Sequence, residues 1–255
     1  MPILDSFRLD GKVALVTGAG QGLGQGMALA LAEAGADVAG LDRGPTTATG
    51  AAVGALGRRY QEVVCDLGQA TAADLNAVVA GVVRELGRLD ILVNNAGIIR
   101  RTPAIDFSEA DWDAVLQIDL RAAFFLAQAA ARVMIPQGGG KIINIASMLS
   151  FQGGILVPSY TAAKSGLAGI TRALANEWAR HAINVNALAP GYMATENTAA
   201  LRADAGRAPA ILERIPTGRW GEPADLQGAV VFLASSASDY VQGAILPVDG
   251  GWLTR

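Results

Sequence analysis

The sequence predicts an α/β protein: a single domain built on a doubly wound, seven-stranded parallel sheet with helices on both faces. Two observations carry this. Short apolar, β-rich runs alternate with longer Ala-rich helical patterns along all 255 residues, the pattern of a parallel sheet covered on both sides. No Pro/Ser-rich linker, internal repeat or low-complexity stretch divides the chain, so one domain spans residues 1–255.

The elements follow in order. KVALVTG (12–18), ADVAGLD (36–42), EVVCDL (62–67), LDILVNNAG (89–97), KIINIAS (141–147), INVNALAP (183–190) and AILPVDGG (244–251) read as strands. GLGQGMALALAEAG (22–35) and TAADLNAVVAGVVRELG (71–87) are the clearest helices between them. The stretch 192–223 is the least strand-like and is long enough to form a mobile flap over a site.

Composition excludes several classes. Hydrophobic residues make up 51% and charged residues 17%, enough apolar material for a large core. A net charge of −3 argues against a nucleic-acid surface. No run approaches the ~18 apolar residues of a membrane span, and MPILDSFRLDGKVALVTG lacks a basic region followed by an apolar one. Cys65 is alone, so no intrachain disulfide or thiolate cluster forms. His181 is also alone and follows NEWAR, where it suits the negative end of a helix. No metal site is expected, and the location expected is the cytoplasm.

The chemistry begins at the first strand–helix turn, TGAGQGLG (17–24). Glycines there let the backbone approach a phosphate, and the helix N-terminus favours the anion. Gly18, Gly22 and Gly24 follow GxxxGxG spacing rather than GxGxxG. Asp42 closes the second strand, 18 residues past Gly24. A carboxylate there accepts hydrogen bonds from a ribose diol and repels a 2′-phosphate, favouring NAD over NADP. Asp66, after the third strand, is placed for an adenine contact. Both aspartates also suit simple capping roles.

Tyr160 and Lys164 lie four positions apart in SYTAAKSG (159–166), on one face of a helix. A phenol with a pKa of about 10 is a poor acid or base at neutrality. A nearby ammonium favours the phenolate, so the pair reads as a proton-transfer couple. Ser147 closes the fifth strand and would converge with Asn95 and the loop after Pro190 at the carboxyl ends of the strands.

Together these residues resemble the short-chain dehydrogenase/reductase family, over essentially the whole chain. The motifs are TGAGQGLG (17–24), NNAG (94–97), Ser147, YTAAK (160–164), PGYMAT (190–195) and VDGG (248–251). The resemblance implies a Rossmann-type sheet and hydride transfer between a nicotinamide and a carbonyl or alcohol carbon. It makes Tyr160 the general acid/base, Lys164 its activator and a ribose ligand, and Ser147 the holder of the reacting oxygen. Cofactor contacts fall on Gly18, Gln21, Gly22, Leu23, Gly24, Asp42, Asp66, Leu67, Asn94, Ala96, Gly97, Tyr160, Lys164, Pro190, Gly191 and Thr195.

The phrases IINIASMLSFQGG (142–154), NEWARHAINVNALAPGYMAT (176–195) and FLASSASDYVQG (232–243) are similar to one branch of that family. It comprises NAD(H)-dependent sugar-acid dehydrogenases of the 2-dehydro-3-deoxy-D-gluconate 5-dehydrogenase type, which serve uronate catabolism and are commonly tetramers. A small acidic sugar substrate and a homotetramer are therefore expected. Its carboxylate needs a partner, for which Arg100, Arg101 and Arg202 are the candidates, with Gln152 a hydroxyl contact. One position departs from the family: Asp119, in DWDAVLQIDL (111–120), replaces an asparagine counted as a fourth catalytic residue. Two other readings stay open: a reductase of another keto substrate, such as a polyol or an acyl thioester, and a catalytically weak NAD-binding regulatory protein.

Overall fold

A computed structural model describes residues 2–255. Its strands are β1 (Val13–Thr17), β2 (Asp37–Asp42), β3 (Tyr60–Val64), β4 (Ile91–Asn94), β5 (Gly140–Ile145), β6 (Ile183–Pro190) and β7 (Ile245–Val248). They form one seven-stranded sheet in the order β3-β2-β1-β4-β5-β6-β7, and every neighbouring pair is parallel. The expected fold is present. β1, β4 and β6 are buried along their whole length; β1 and β4 accordingly read as near-continuous apolar runs, while β6 buries Asn184 and Asn186 among its apolar residues.

The helices are α1 (Gly22–Glu33), α2 (Thr47–Ala55), α3 (Ala72–Leu86), α4 (Glu109–Leu116), α5 (Ala123–Gln137), α6 (Pro158–Trp178), α7 (Ala199–Arg202), α8 (Arg207–Arg214) and α9 (Ala224–Ala234). Met27 and Leu31 of α1, Val53 of α2 and Val230 of α9 close one face of the sheet. Leu75 and Val79 of α3, Leu126 and Met134 of α5 and Leu174 of α6 close the other. Local signals set the ends. Thr71 and Asp74 form a reciprocal capping box at the start of α3, and Gly87 ends it in the left-handed conformation. Pro158 opens α6 at a position where its missing N–H costs nothing.

A π-helical turn, Gln117–Ala122, joins α4 to α5. The resulting helical stretch Glu109–Gln137 is long and apolar enough to cross a membrane by length and composition, although Asp119, Arg121 and Arg132 interrupt it and it holds no continuous apolar run of that length. Half of its apolar window is buried, and α5 packs into the core beside α3.

The chain runs β1-β2-β3 outward from the centre, then returns to place β4 on the other side of β1. That reversal opens a crevice between the carboxyl ends of β1 and β4, where ligands bind in doubly wound sheets.

Candidate active site

The crevice holds a cleft of about 580 Å³, a size ordinary for small-molecule sites. It runs from Asp42 and Asp66, past the glycine-rich turn and residues 95–101, to Ser147, Tyr160, Lys164, Pro190, Gly191, Met193 and residues 195–198.

At one end, Gly18 takes φ +67°, and a Cβ there would lie 2.8 Å from Asn95 Nδ2. Only glycine lets the turn pass this closely. Asn95 Nδ2 donates to Thr17 O at 2.8 Å, tying the ends of β4 and β1 together. α1 starts at Gly22 with no side-chain cap and no acidic residue in its first turn, so its first N–H groups remain available to an anion. Asp42 Oδ2 accepts from Gly20 N–H at 3.0 Å and Oδ1 from Arg43 N–H at 2.8 Å. Each oxygen keeps a lone pair for a ribose hydroxyl. These residues fit a nicotinamide dinucleotide.

At the other end, the first turns of α6 present Tyr160 and Lys164 together. Lys164 is 3% exposed; its Nζ donates to Ile145 O at 2.9 Å and lies 5.4 Å from the centre of the Tyr160 ring. Ser147 follows β5, and its Oγ accepts from Leu149 N–H at 3.1 Å. Burial pushes the Tyr160 phenol above its ordinary pKa; Lys164 and Ser147 pull it back, and Asp119 adds to the rise. The lysine acts in the expected direction, but burial outweighs it and the net shift is upward. Lys164 is held above its own ordinary value, because Asp119 and Tyr160 together outweigh the burial that opposes its charge.

The cleft is lined by Gly18, Gln21, Gly22, Leu23, Gly24, Asp42, Asp66, Leu67, Ala96, Gly97, Ser147, Tyr160, Lys164, Pro190, Gly191 and Thr195. Asn94 is a correction. Its side chain is 4% exposed and its amide donates to Ala123 O at 3.1 Å and Asn144 Oδ1 at 2.9 Å, inside the core. Its neighbour Asn95 lines the cleft instead.

The substrate candidates separate. Arg101 lines the cleft and donates to Asn197 O at 3.3 Å, with no acidic partner among the described residues. Arg100 also lines it but pairs with Asp111 at 3.1 Å. Arg202 and Gln152 are corrections: neither lines the cleft. Arg202 donates to Thr195 O at 3.2 Å, and Gln152 Oε1 accepts from Arg214 at 3.3 Å. Asp119 too stands behind the cleft wall, touching Lys164 instead.

The segment 192–223 is more ordered than its sequence indicates. It contains α7 and α8, and a bridge between Met193 and Gly221 closes its base. Ile211 and Ile215 pack with Met148, Leu149 and Trp252, and Tyr160 lies against this cluster.

The comparisons agree with this geometry. A family model described as Enoyl-(Acyl carrier protein) reductase, of the short-chain dehydrogenase/reductase type, matches residues 18–253. The chain belongs to the short-chain dehydrogenase/reductase family. It is a member acting as an oxidoreductase on CH–OH groups with a nicotinamide cofactor. Among its relatives, 2-dehydro-3-deoxy-D-gluconate 5-dehydrogenase of Escherichia coli (strain K12) is 60% identical, over 99% of this chain and 100% of that protein. The Bacillus subtilis (strain 168) protein of the same name is 53% identical, over 98% of each. A gluconate 5-dehydrogenase from Burkholderia cenocepacia J2315, solved with NADP and tartrate, is 41% identical, with a TM-score of 0.94 over 99% of each chain.

Proposed function

We propose that the protein interconverts a hydroxyl and a keto group on a small keto-deoxy sugar acid of the 2-dehydro-3-deoxy-D-gluconate type, using NAD(H), in uronate and pectin catabolism. The observation that carries it is full-length identity of 60% to a relative of that name, joined to a cleft in which Ser147, Tyr160 and Lys164 are all present.

The chain's residues divide the work. Gly18, Gly22 and the start of α1 hold the pyrophosphate, Asp42 the adenosine ribose, and Lys164 the other ribose. The bound dinucleotide supplies or accepts the hydride. Tyr160 donates a proton to the carbonyl oxygen during reduction, or removes it from the hydroxyl during oxidation. Ser147 hydrogen-bonds that same oxygen and orients it. Arg101 takes the substrate carboxylate through its planar fork. The working form is a cytoplasmic homotetramer, as the family resemblance implies.

NAD is favoured because a carboxylate closing the second strand, as Asp42 does, accepts hydrogen bonds from a ribose diol and repels a 2′-phosphate. A second reading, NADP, draws on Arg43, which also lines the cleft, and on the Burkholderia relative solved with NADP. The reading of an acyl-thioester reductase has only the description of the family model behind it. Following nicotinamide absorbance with NADH and NADPH, against a panel of keto sugar acids and an acyl thioester, separates these readings. Turnover of keto-deoxy sugar acids with NADH is expected; turnover confined to acyl thioesters refutes the proposal.

A further inference from the structure

Asp119 is a carboxylate that the tyrosine–lysine couple does not itself require. It projects from the π-helical turn and is 1% exposed. Oδ1 accepts from Ile98 N–H at 2.8 Å. Oδ2 makes no hydrogen bond but lies 3.4 Å from Lys164 Nζ, and the two side chains are 0% and 4% exposed. A Cβ on Gly97 would come within 2.8 Å of Oδ2, so the loop after β4 is moulded around this carboxylate. The other charged and titratable groups facing the pair are few. α6 contributes Tyr160, and the loop after β4 contributes Arg101, whose charge reaches Tyr160. From β5 and the turn after it come only the Ile145 carbonyl and the Ser147 hydroxyl.

A buried carboxylate is costly unless it is paired, and among the described residues Lys164 is the one cation within reach of an ion pair. We propose that Asp119 is the counter-ion of Lys164, a positioning residue that sets the pH at which Tyr160 gives up its proton. The ammonium charge is what favours the phenolate, and a carboxylate at this distance cancels part of it where solvent screening is weak. Oxidation needs the phenolate, which takes the proton of the substrate hydroxyl. Reduction needs the phenol, which returns it. By holding Tyr160 protonated to higher pH, Asp119 favours the reductive form of the site near neutrality, while the overall reaction equilibrium is untouched. The hydrogen bond from Ile98 N–H to Oδ1 ties the loop that carries Arg101 to the same carboxylate.

The inference rests on the proton-transfer role given to Tyr160 above. Its test is therefore made first on the ligand-free protein, where no substrate assignment enters. Phenolate formation is followed by ultraviolet difference absorbance during alkaline titration, with Tyr160→Phe subtracted to isolate the Tyr160 signal. Asp119→Asn keeps an acceptor for Ile98 N–H and removes the charge. It is expected to lower the Tyr160 midpoint by about one unit, and to move the alkaline-rising limb of kcat/KM for oxidation by the same amount. Asp119→Glu, which keeps the charge, is expected to hold the wild-type midpoint and serves if the asparagine variant does not fold. A midpoint unchanged in Asp119→Asn, or lowered in Asp119→Glu, overturns the proposal. Failure to oxidise any sugar acid while the midpoint still shifts refutes the substrate assignment and leaves Asp119 in its role.

Discussion

The Thr17 hydroxyl accepts the backbone N–H of Asn95 at 2.9 Å, so the end of β1 fixes the loop that leaves β4. It accepts Ala96 N–H at 2.9 Å as well, and Thr17 is 1% exposed. Thr17→Val keeps the shape, strands Ala96 N–H and leaves Asn95 N–H with only its bond to Val93 O at 3.1 Å. Each unsatisfied buried donor costs about 1–3 kcal/mol. Urea unfolding should show a loss of that order, with weaker dinucleotide binding by titration. Thr17→Ser should stay near wild type.

Asp42 is expected to decide between the two dinucleotides. Hydrogen bonds to a charged group contribute about 1.5–3 kcal/mol, so Asp42→Ala should lower kcat/KM with NADH by tenfold or more. Activity with NADPH should rise or hold, because the repulsion is gone. Equal efficiency with NADH and NADPH in the unaltered enzyme would remove Asp42 from this role.

Tyr160→Phe should nearly abolish turnover and leave dinucleotide affinity close to unchanged. Only the hydroxyl that carries the proton is lost, while the ring keeps its contacts in the cluster beneath the flap. Fluorescence titration with NADH beside a steady-state assay checks both halves. Retention of most of the rate would show that another group moves the proton.

The arginines give a paired test of substrate binding. Arg101→Ala should raise KM for a sugar acid by about tenfold or more, the size of a lost charge-assisted contact. Arg100 is already engaged with Asp111, at side-chain exposures of 48% and 38%, and exposed pairs of this kind contribute about 0–1 kcal/mol. Arg100→Ala should therefore leave KM nearly unchanged. The reverse ranking would transfer the carboxylate to Arg100.

What the sequence makes legible, and what it hides, follows from the range of the interactions. The buried strands β1 and β4 read directly, since their runs are almost wholly apolar. The third strand is expected two residues late at its start and three late at its end, because Cys65 and Leu67 prolong its apolar character after the chain has left the sheet for the cleft rim. Asn94 and Asn95 are chemically identical, and only strand alternation sends the first into the core and leaves the second at the strand end. Asp119 stands out in sequence as a departure from the family motif. Its contact with Lys164 depends on a π-helical turn that no residue pattern announces. The segment 192–223 looks loose because its partners are remote: Met148, Leu149 and Trp252 are brought to it only by the completed sheet.

Trp252 gives that remote bracing a measurable consequence. It is 4% exposed, its ring meets Tyr192 edge-on at 4.8 Å, and the Arg214 guanidinium stacks over it at 4.0 Å. The C-terminal Arg255 also donates to Glu213 O at 2.8 Å and to Arg214 O at 3.0 Å, satisfying carbonyls at the end of α8. One face of the flap is thus held by the tail of the chain, and Gln152 on its far side is held through Arg214. Trp252→Ala removes a buried aromatic, a change that costs about 3–5 kcal/mol in well-packed sites. Because the cluster lies beneath the substrate end and away from Asp42, the loss should fall unevenly. KM for the sugar acid should rise several-fold or more, while NADH affinity changes little. Trp252→Phe keeps an aromatic face for Arg214 and should recover most of both stability and KM. Equal loss of cofactor and substrate affinity in Trp252→Ala would show that the tail supports the whole cleft instead of the flap alone.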